Sequence, residues 1–425
     1  MAGRLERAYA VTGIVYYEQG IIAALRTARG VEAVKPGASD VVSTIAQLGI
    51  LSVLVVIVTW RGRDYARLLA ILQPYLVIIG LCFVSVFWSD NPWPTMRRSV
   101  SLASCVLFGT YLWQSFGLRG TIRLAGGCTV MLGLLSVAVF VAVPGIGRET
   151  AFGYESAMRG VFSQKNVMAE CMLLGVSCFC FRILDEGARL RHVTSLLLLL
   201  ACIVLGRSAT SLGIAGLVVL ATALFASRSR PRLRLVLWFG TGWLALALAV
   251  TGLIAPDLLF ALIGRDASLT GRGPLWHEVI GVIAQRPLFG HGYAGFWNDE
   301  SVEVQYLWLR AGWRPPDSHN GYLDVTVQLG AAGLLAYLFL WGRVSVRAVT
   351  ASRAGTLGES RWIVLFMLIN IVLNLDEGPM PFADGFTLLM PGALLTLGVW
   401  HGRYRVRRHR QPGLRAAWVG RRGTA

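Results

Sequence analysis

Arg207 stands between two apolar runs, in the stretch LLLLLACIVLGRSATSLGIAGLVVLATALF. A charged side chain at bilayer depth costs several kcal/mol unless it is paired or lines a polar cavity. A guanidinium offers a planar fork of donors that fits a diphosphate. Farther along, Asp317, Ser318, His319 and Asn320 stand at the start of another apolar run. Histidine is the usual general base near neutral pH, and a nearby carboxylate can orient it. An arginine for an anion and a base for a hydroxyl suit group transfer with an anionic leaving group. The other reading of the Asp317–Asn320 cluster is helix capping. Asp376 and Glu377, at the outer end of a later run, stand second in line as the base.

Membrane-spanning helices must position these residues. The chain has 425 residues, 55% hydrophobic and only 15% charged, with a mean hydropathy of +0.58. Apolar runs fall at 41–60, 68–88, 99–116, 124–144, 166–183, 193–206, 209–226, 233–254, 319–341, 362–375 and 386–400. Such runs predict an all-α polytopic membrane protein. The net charge of +17 comes almost wholly from arginine, lysine appearing only as Lys35 and Lys165. Arginines cluster at 61–67, 119–123, 182–191, 228–234, 343–361 and in the tail RYRVRRHR. That is the positive-inside pattern, so no nucleic-acid partner is expected. Parity then asks for a twelfth crossing, for which residues 8–25 are the weak candidate, interrupted by Glu18 and Gln19. That segment lacks the clean core and cleavage site of a signal peptide. The seven cysteines all sit in apolar runs and read as small hydrophobes rather than disulfides or zinc ligands.

The outer face departs from the charge rule. It carries Arg97, Arg98, Arg148, Arg159, Lys165, Arg265, Arg272, Arg286, Arg310 and Arg314. Salt bridges to Glu149, Glu155, Asp266, Glu300 and Glu303, with lipid headgroup contact, are one reading. A diphosphate site is the other. In LTGRGPLWHEVIGVIAQRPLFGHG, Pro274 suits a first helical position. Leu275, Val279 and Val282 then form an apolar face that suits the membrane surface, with Arg272 just before the helix, where an anion is favoured. His192, His401 and His409 read as solvated, and His277 and His291 as weaker candidates. The GxGxxG string at Gly290–Gly295 has no βαβ unit around it and reads as a tight turn, not a dinucleotide site. No carboxylate cluster for a divalent metal appears in the outer loops, and no cofactor is expected.

WSDNP with MRRSV, MRGVFSQKN, GRSA, LTGRGPLW, QRPLFGHGYAGFW and HNGYLDVTVQLGAAGLL occur in this order. The series, over about residues 41–400, resembles the O-antigen ligase and Wzy-type polymerase superfamily, most closely its exopolysaccharide-production branch. The resemblance implies a GT-C-like fold of about twelve transmembrane helices. It also implies a metal-independent, inverting glycosyltransferase in the bacterial inner membrane, acting on undecaprenyl-diphosphate-linked glycan at the periplasmic side. Arg207 matches the intramembrane arginine and Arg272 the loop arginine, both as diphosphate ligands. His319 matches the histidine of the HN motif, as candidate base. Lys165 and Asn166 match the KN pair, whereas Gln164 replaces an expected histidine and Ser318 a small apolar residue. Arg98, Arg159, Lys165, Asn166, Arg265, Asp317 and Asn320 complete the expected substrate-binding set. Implied partners are the lipid-linked glycan, membrane lipid, a flippase and a chain-length regulator.

The expected organisation is an N-terminal segment at 1–40, helices over 41–254, a periplasmic loop at 255–318, helices over 319–400 and a basic tail at 401–425. Three functions remain open: polymerase, ligase to a different acceptor, and glycolipid transporter or flippase. Missing repeats, the large outer loop and the HN motif speak against the last. The topology is testable with fused reporters. Fusions after Arg234 and Arg353 should score cytoplasmic and one near Asp299 periplasmic; a cytoplasmic score at Asp299 would overturn both the helix count and the site.

Overall fold

The computed structural model describes residues 3–28, 41–150, 154–237, 239–241, 272–355, 357–377 and 383–409. Among them helices dominate and there is no named strand, only an isolated bridge between Arg148 and Met158. Arg265 and most of the 233–254 run lie outside the described residues.

The N-terminal residues form α1 (Arg4–Tyr17) and α2 (Gly20–Ala28). The single 8–25 helix expected from the sequence is therefore split. The split falls at buried Glu18 and at Gln19, whose φ of +60° places it in the left-handed region. Helices α3 (Val41–Trp60) and α4 (Gly62–Val84) follow, then α5 (Pro92–Ala142), which absorbs two expected runs. Its 51 residues would extend about 75 Å, over twice the hydrocarbon thickness. A break at Gly117 (φ 64°, ψ 173°) gives it two legs. Next come α6 (Pro144–Gly147), α7 (Lys165–Glu186), α8 (Leu190–Leu205) and α9 (Ala209–Ala226). Two shorter outer helices, α10 (Arg272–Ile283) and α11 (Val302–Ala311), precede α12 (Gly321–Ala354), α13 (Ser360–Leu373) and α14 (Gly385–His409). Six described helices are long and apolar enough to cross a membrane, with α8 and α13 as shorter apolar helices.

Charge pins one face. Arg119 pairs with Glu359 at 2.8 Å and Asp185 at 3.4 Å, and Arg123 pairs with Glu186 at 2.9 Å. Arg228 donates to the carbonyls of Ser352 and Arg353. The chain reversals with basic clusters therefore meet at one end of the bundle, as parity requires. His192 lies here too, but not solvated as expected. It is fully buried, with Nδ1 on the Gly187 carbonyl at 3.0 Å and Arg182 beside Nε2.

At the opposite face, two helices stop short. Helix α8, with 16 residues, and α13, with 14, reach only about 24 and 21 Å, less than the ~30 Å apolar core. The turn carrying Arg207 and the segment 374–377 follow these two short helices.

The apolar face of α10 is covered by protein rather than left bare for lipid. Leu275, Val279 and Val282 pack into a small core with Phe296, Trp297, Val304, Leu307, Trp308 and Val327. This core buries the apolar face of α10, because α11 and the first leg of α12 supply a partner. The 287–292 segment crosses α12 at its break. Ala331 and Ala332 donate backbone N–H to Pro287 and Leu288, while His291 and Gly292 donate to Val327 and Gln328. Gly290 (φ 64°) and Gly330 (φ 65°) make the crossing fit, since a Cβ on either would collide with the other strand's backbone. The GxGxxG string is a turn, and WSDNP docks against it: Asp90 accepts from His291 Nδ1 at 2.8 Å and from Arg286 at 2.7 Å. Burial pushes the Asp90 carboxyl up, but His291 and Arg286 outweigh it and hold it below its ordinary value.

Alanine at Gly330 should lower thermal stability in detergent more than alanine at Gly342, where a Cβ meets nothing within 4 Å. The left-handed backbone alone costs roughly 1–2 kcal/mol. Equal melting temperatures would refute the crossing.

Candidate functional site

Five segments converge, each through a helix end. Arg272 opens α10 rather than preceding it, and is buried. Its guanidinium donates to Glu377 Oε1 at 3.0 Å and to both the carbonyl and carboxylate of Asp376. Asn166, in the first turn of α7, donates to the same Glu377 oxygen at 2.9 Å. The other oxygen, Oε2, lies 3.2 Å from His319 Nδ1. Lys165 Nζ donates to the Arg207 carbonyl at 3.3 Å and stacks over Tyr154 at 4.0 Å. The Thr210 hydroxyl, at the start of α9, donates to Asp376.

His319 and Arg207 share a backbone state. Their φ values, +49° and +48°, are two of four positive values on non-glycine residues. Left-handed backbone at such residues persists only where surroundings over-determine it. At His319 the surroundings are explicit. Asp317 accepts its backbone N–H at 2.8 Å, and the Trp276 indole donates to the Ser318 carbonyl at 2.9 Å. Trp313 covers the imidazole, ring centroids 5.5 Å apart. Asn320 caps α12, accepting from Tyr322 and Leu323, and its amide donates to the Leu375 carbonyl. Asn320 is thus committed to capping, the other reading of this cluster.

The carboxylate orienting the imidazole is Glu377, since Asp317 lies 3.8 Å from Nδ1. A carboxylate only accepts, so Nδ1 carries the proton and Nε2 keeps its lone pair. Burial pulls the His319 pKa down, but the Glu377 hydrogen bond and the charges of Asp317 and Glu377 outweigh it and raise it. Burial likewise raises the Asp317 carboxyl, against the opposing pull of His319.

The remaining expected residues fall differently. The Arg207 side chain is exposed and makes no ion pair among the described residues. Arg98 lies on the exposed side of α5. Arg159 is buried, donating to the Ile146 and Gly145 carbonyls, so it holds the 144–147 turn. Arg310 pairs with Glu278, Arg148 stacks on Phe140 and Arg314 on Trp308. Glu149, an expected ion-pair partner, instead accepts the backbone N–H of Lys165 and Thr150. Thr210 and Trp313 had no sequence signal. Glu377 had a weak one, an acidic pair closing an apolar run.

A recessed polar cluster within a multi-pass helical membrane protein defines the class. Residues 194–338 match the family model described as O-antigen ligase, a stretch that contains Arg207, Arg272 and His319 and ends before Glu377. The chain is also 27% identical over 340 residues to the exopolysaccharide production protein ExoQ of Rhizobium meliloti (strain 1021), covering 71% of this chain and 75% of that protein. Both matches support the O-antigen ligase and ExoQ-like family, the one that the ordered motifs resemble.

The histidine environment gives a pH test. If neutral His319 is the active form, kcat/KM should rise with pH, with a midpoint above the ordinary histidine value of about 6.5. Glu377→Gln removes the charge and weakens the hydrogen bond that raise this pKa, so the midpoint should move down. An unmoved or upward midpoint would refute the pairing.

Proposed function

We propose that the chain is a glycosyltransferase that polymerises undecaprenyl-diphosphate-linked oligosaccharide units into exopolysaccharide at the periplasmic face of the inner membrane. The carrying observation is that Arg272, His319 and the 207–210 turn meet around Glu377 and Asp376 in a recessed polar cluster. The role of ExoQ in exopolysaccharide production favours the polymerase reading. The O-antigen ligase model favours a second reading, transfer to a different acceptor.

In this reading Nε2 of His319 accepts the proton of the acceptor hydroxyl, and the oxygen attacks the anomeric carbon from the face opposite the diphosphate. One displacement inverts that carbon. Negative charge gathers on the leaving lipid diphosphate, where Arg207 and Arg272 stabilise it. Fixed cations in a water-poor site do so without reorganising. Lys165 holds the Arg207 turn through its carbonyl, and Glu377 keeps the imidazole in the productive tautomer.

The decisive experiment pairs glycan analysis with variants. In a strain lacking the chain, single repeat units on the lipid carrier indicate a polymerase, unattached full-length polymer a ligase, and units held inside a flippase. Arg207→Ala should abolish polymer at normal membrane levels, with Arg207→Lys rescuing poorly because lysine lacks the planar fork. His319→Ala should lower turnover by about 10² to 10⁴ with donor binding kept. Full activity in Arg207→Ala would overturn the assignment.

A further inference from the structure

We propose that the Asp376 carboxylate occupies, in the resting protein, the place a donor phosphate takes, and that donor binding displaces it. The inference rests on the reading of Arg272 as a diphosphate ligand. Three observations locate the anion site. The carboxylate receives the Arg272 guanidinium on Oδ1. Its Oδ2 receives the Thr210 hydroxyl, one helical turn from Arg207. Thr210 belongs to the first turn of α9, where the helix dipole favours negative charge. The N-cap residue Ser208 makes no side-chain cap, its hydroxyl donating instead to Ser211. Asp376 therefore bridges the two elements that carry the proposed diphosphate ligands.

The two neighbouring carboxylates differ in mobility. Glu377 is 9% exposed and tied to Asn166 and His319 as well as Arg272, whereas the Asp376 side chain is 21% exposed. Asp376 is the one that can swing out. A diphosphate brings more charge and more acceptor oxygens than one carboxylate, so it wins the exchange. Glu377 stays on the guanidinium throughout, so Arg272 keeps a counterion while Asp376 leaves.

The test uses purified full-length chain in detergent, with farnesyl diphosphate as probe and farnesol as the uncharged control, by calorimetry. Asp376→Asn and Asp376→Ala should bind farnesyl diphosphate about ten- to a hundredfold tighter, the range for a lost charge-assisted competitor. Farnesol binding should not change. Acetate should weaken diphosphate binding in Asp376→Ala and leave the wild type unmoved. If the asparagine variant fails to fold, the alanine variant folded in acetate carries the same test. Unchanged or weaker binding in a variant that melts like the wild type would overturn the proposal. Unchanged binding in Arg272→Ala would instead overturn the reading on which it rests.

Discussion

Everything at the outer end of this bundle turns on one carboxylate, Glu377. It ties together Arg272, Asn166 and His319, side chains from three separate segments of the chain. In a low-dielectric setting these charge-assisted bonds are strong, and losing one partner leaves the others uncompensated. The cluster therefore forms as a unit. It gathers where the short helices α8 and α13 end, their trailing turns supplying Arg207, Asp376 and Glu377.

The 287–292 segment crosses α12 at its break, away from this cluster. Two glycines with left-handed backbone let the strands touch, and the Asp90, His291 and Arg286 cluster ties the crossing to the end of α4. The small core beneath α10 and α11 then sets Trp276 and Trp313 against the HN motif. Aromatic cover and a fixed backbone hold the imidazole, while its orientation comes from the bundle below.

Arg207, Arg272 and His319 stand out in the sequence because each violates a local expectation: charge in an apolar stretch, charge at a helix start, a titratable residue at a helix mouth. The structure brings Arg272 and His319 together and leaves the Arg207 side chain exposed. Glu377 was legible only as an alternative base, not as the group that joins the others. Its partners lie 58, 105 and 211 residues away in the chain, and an acid beside a helix end is common. The apolar face of α10 was read correctly as a face and misplaced against lipid, since periodicity does not name what covers it. Arg159 looked like a ligand for an anion, yet it serves two backbone carbonyls, which no side-chain pattern announces. The helix pattern itself was largely readable, except at Glu18 and Gln19, where a weak run hid a break.

The left-handed backbone at Arg207 and His319 sets stability against activity. Each position carries roughly 1–2 kcal/mol of conformational cost that glycine would not incur. Selection for heat resistance alone would therefore drift toward glycine at both, yielding a tougher protein without these two side chains. The two residues mark where the fold gives up stability to present a charged and a titratable side chain.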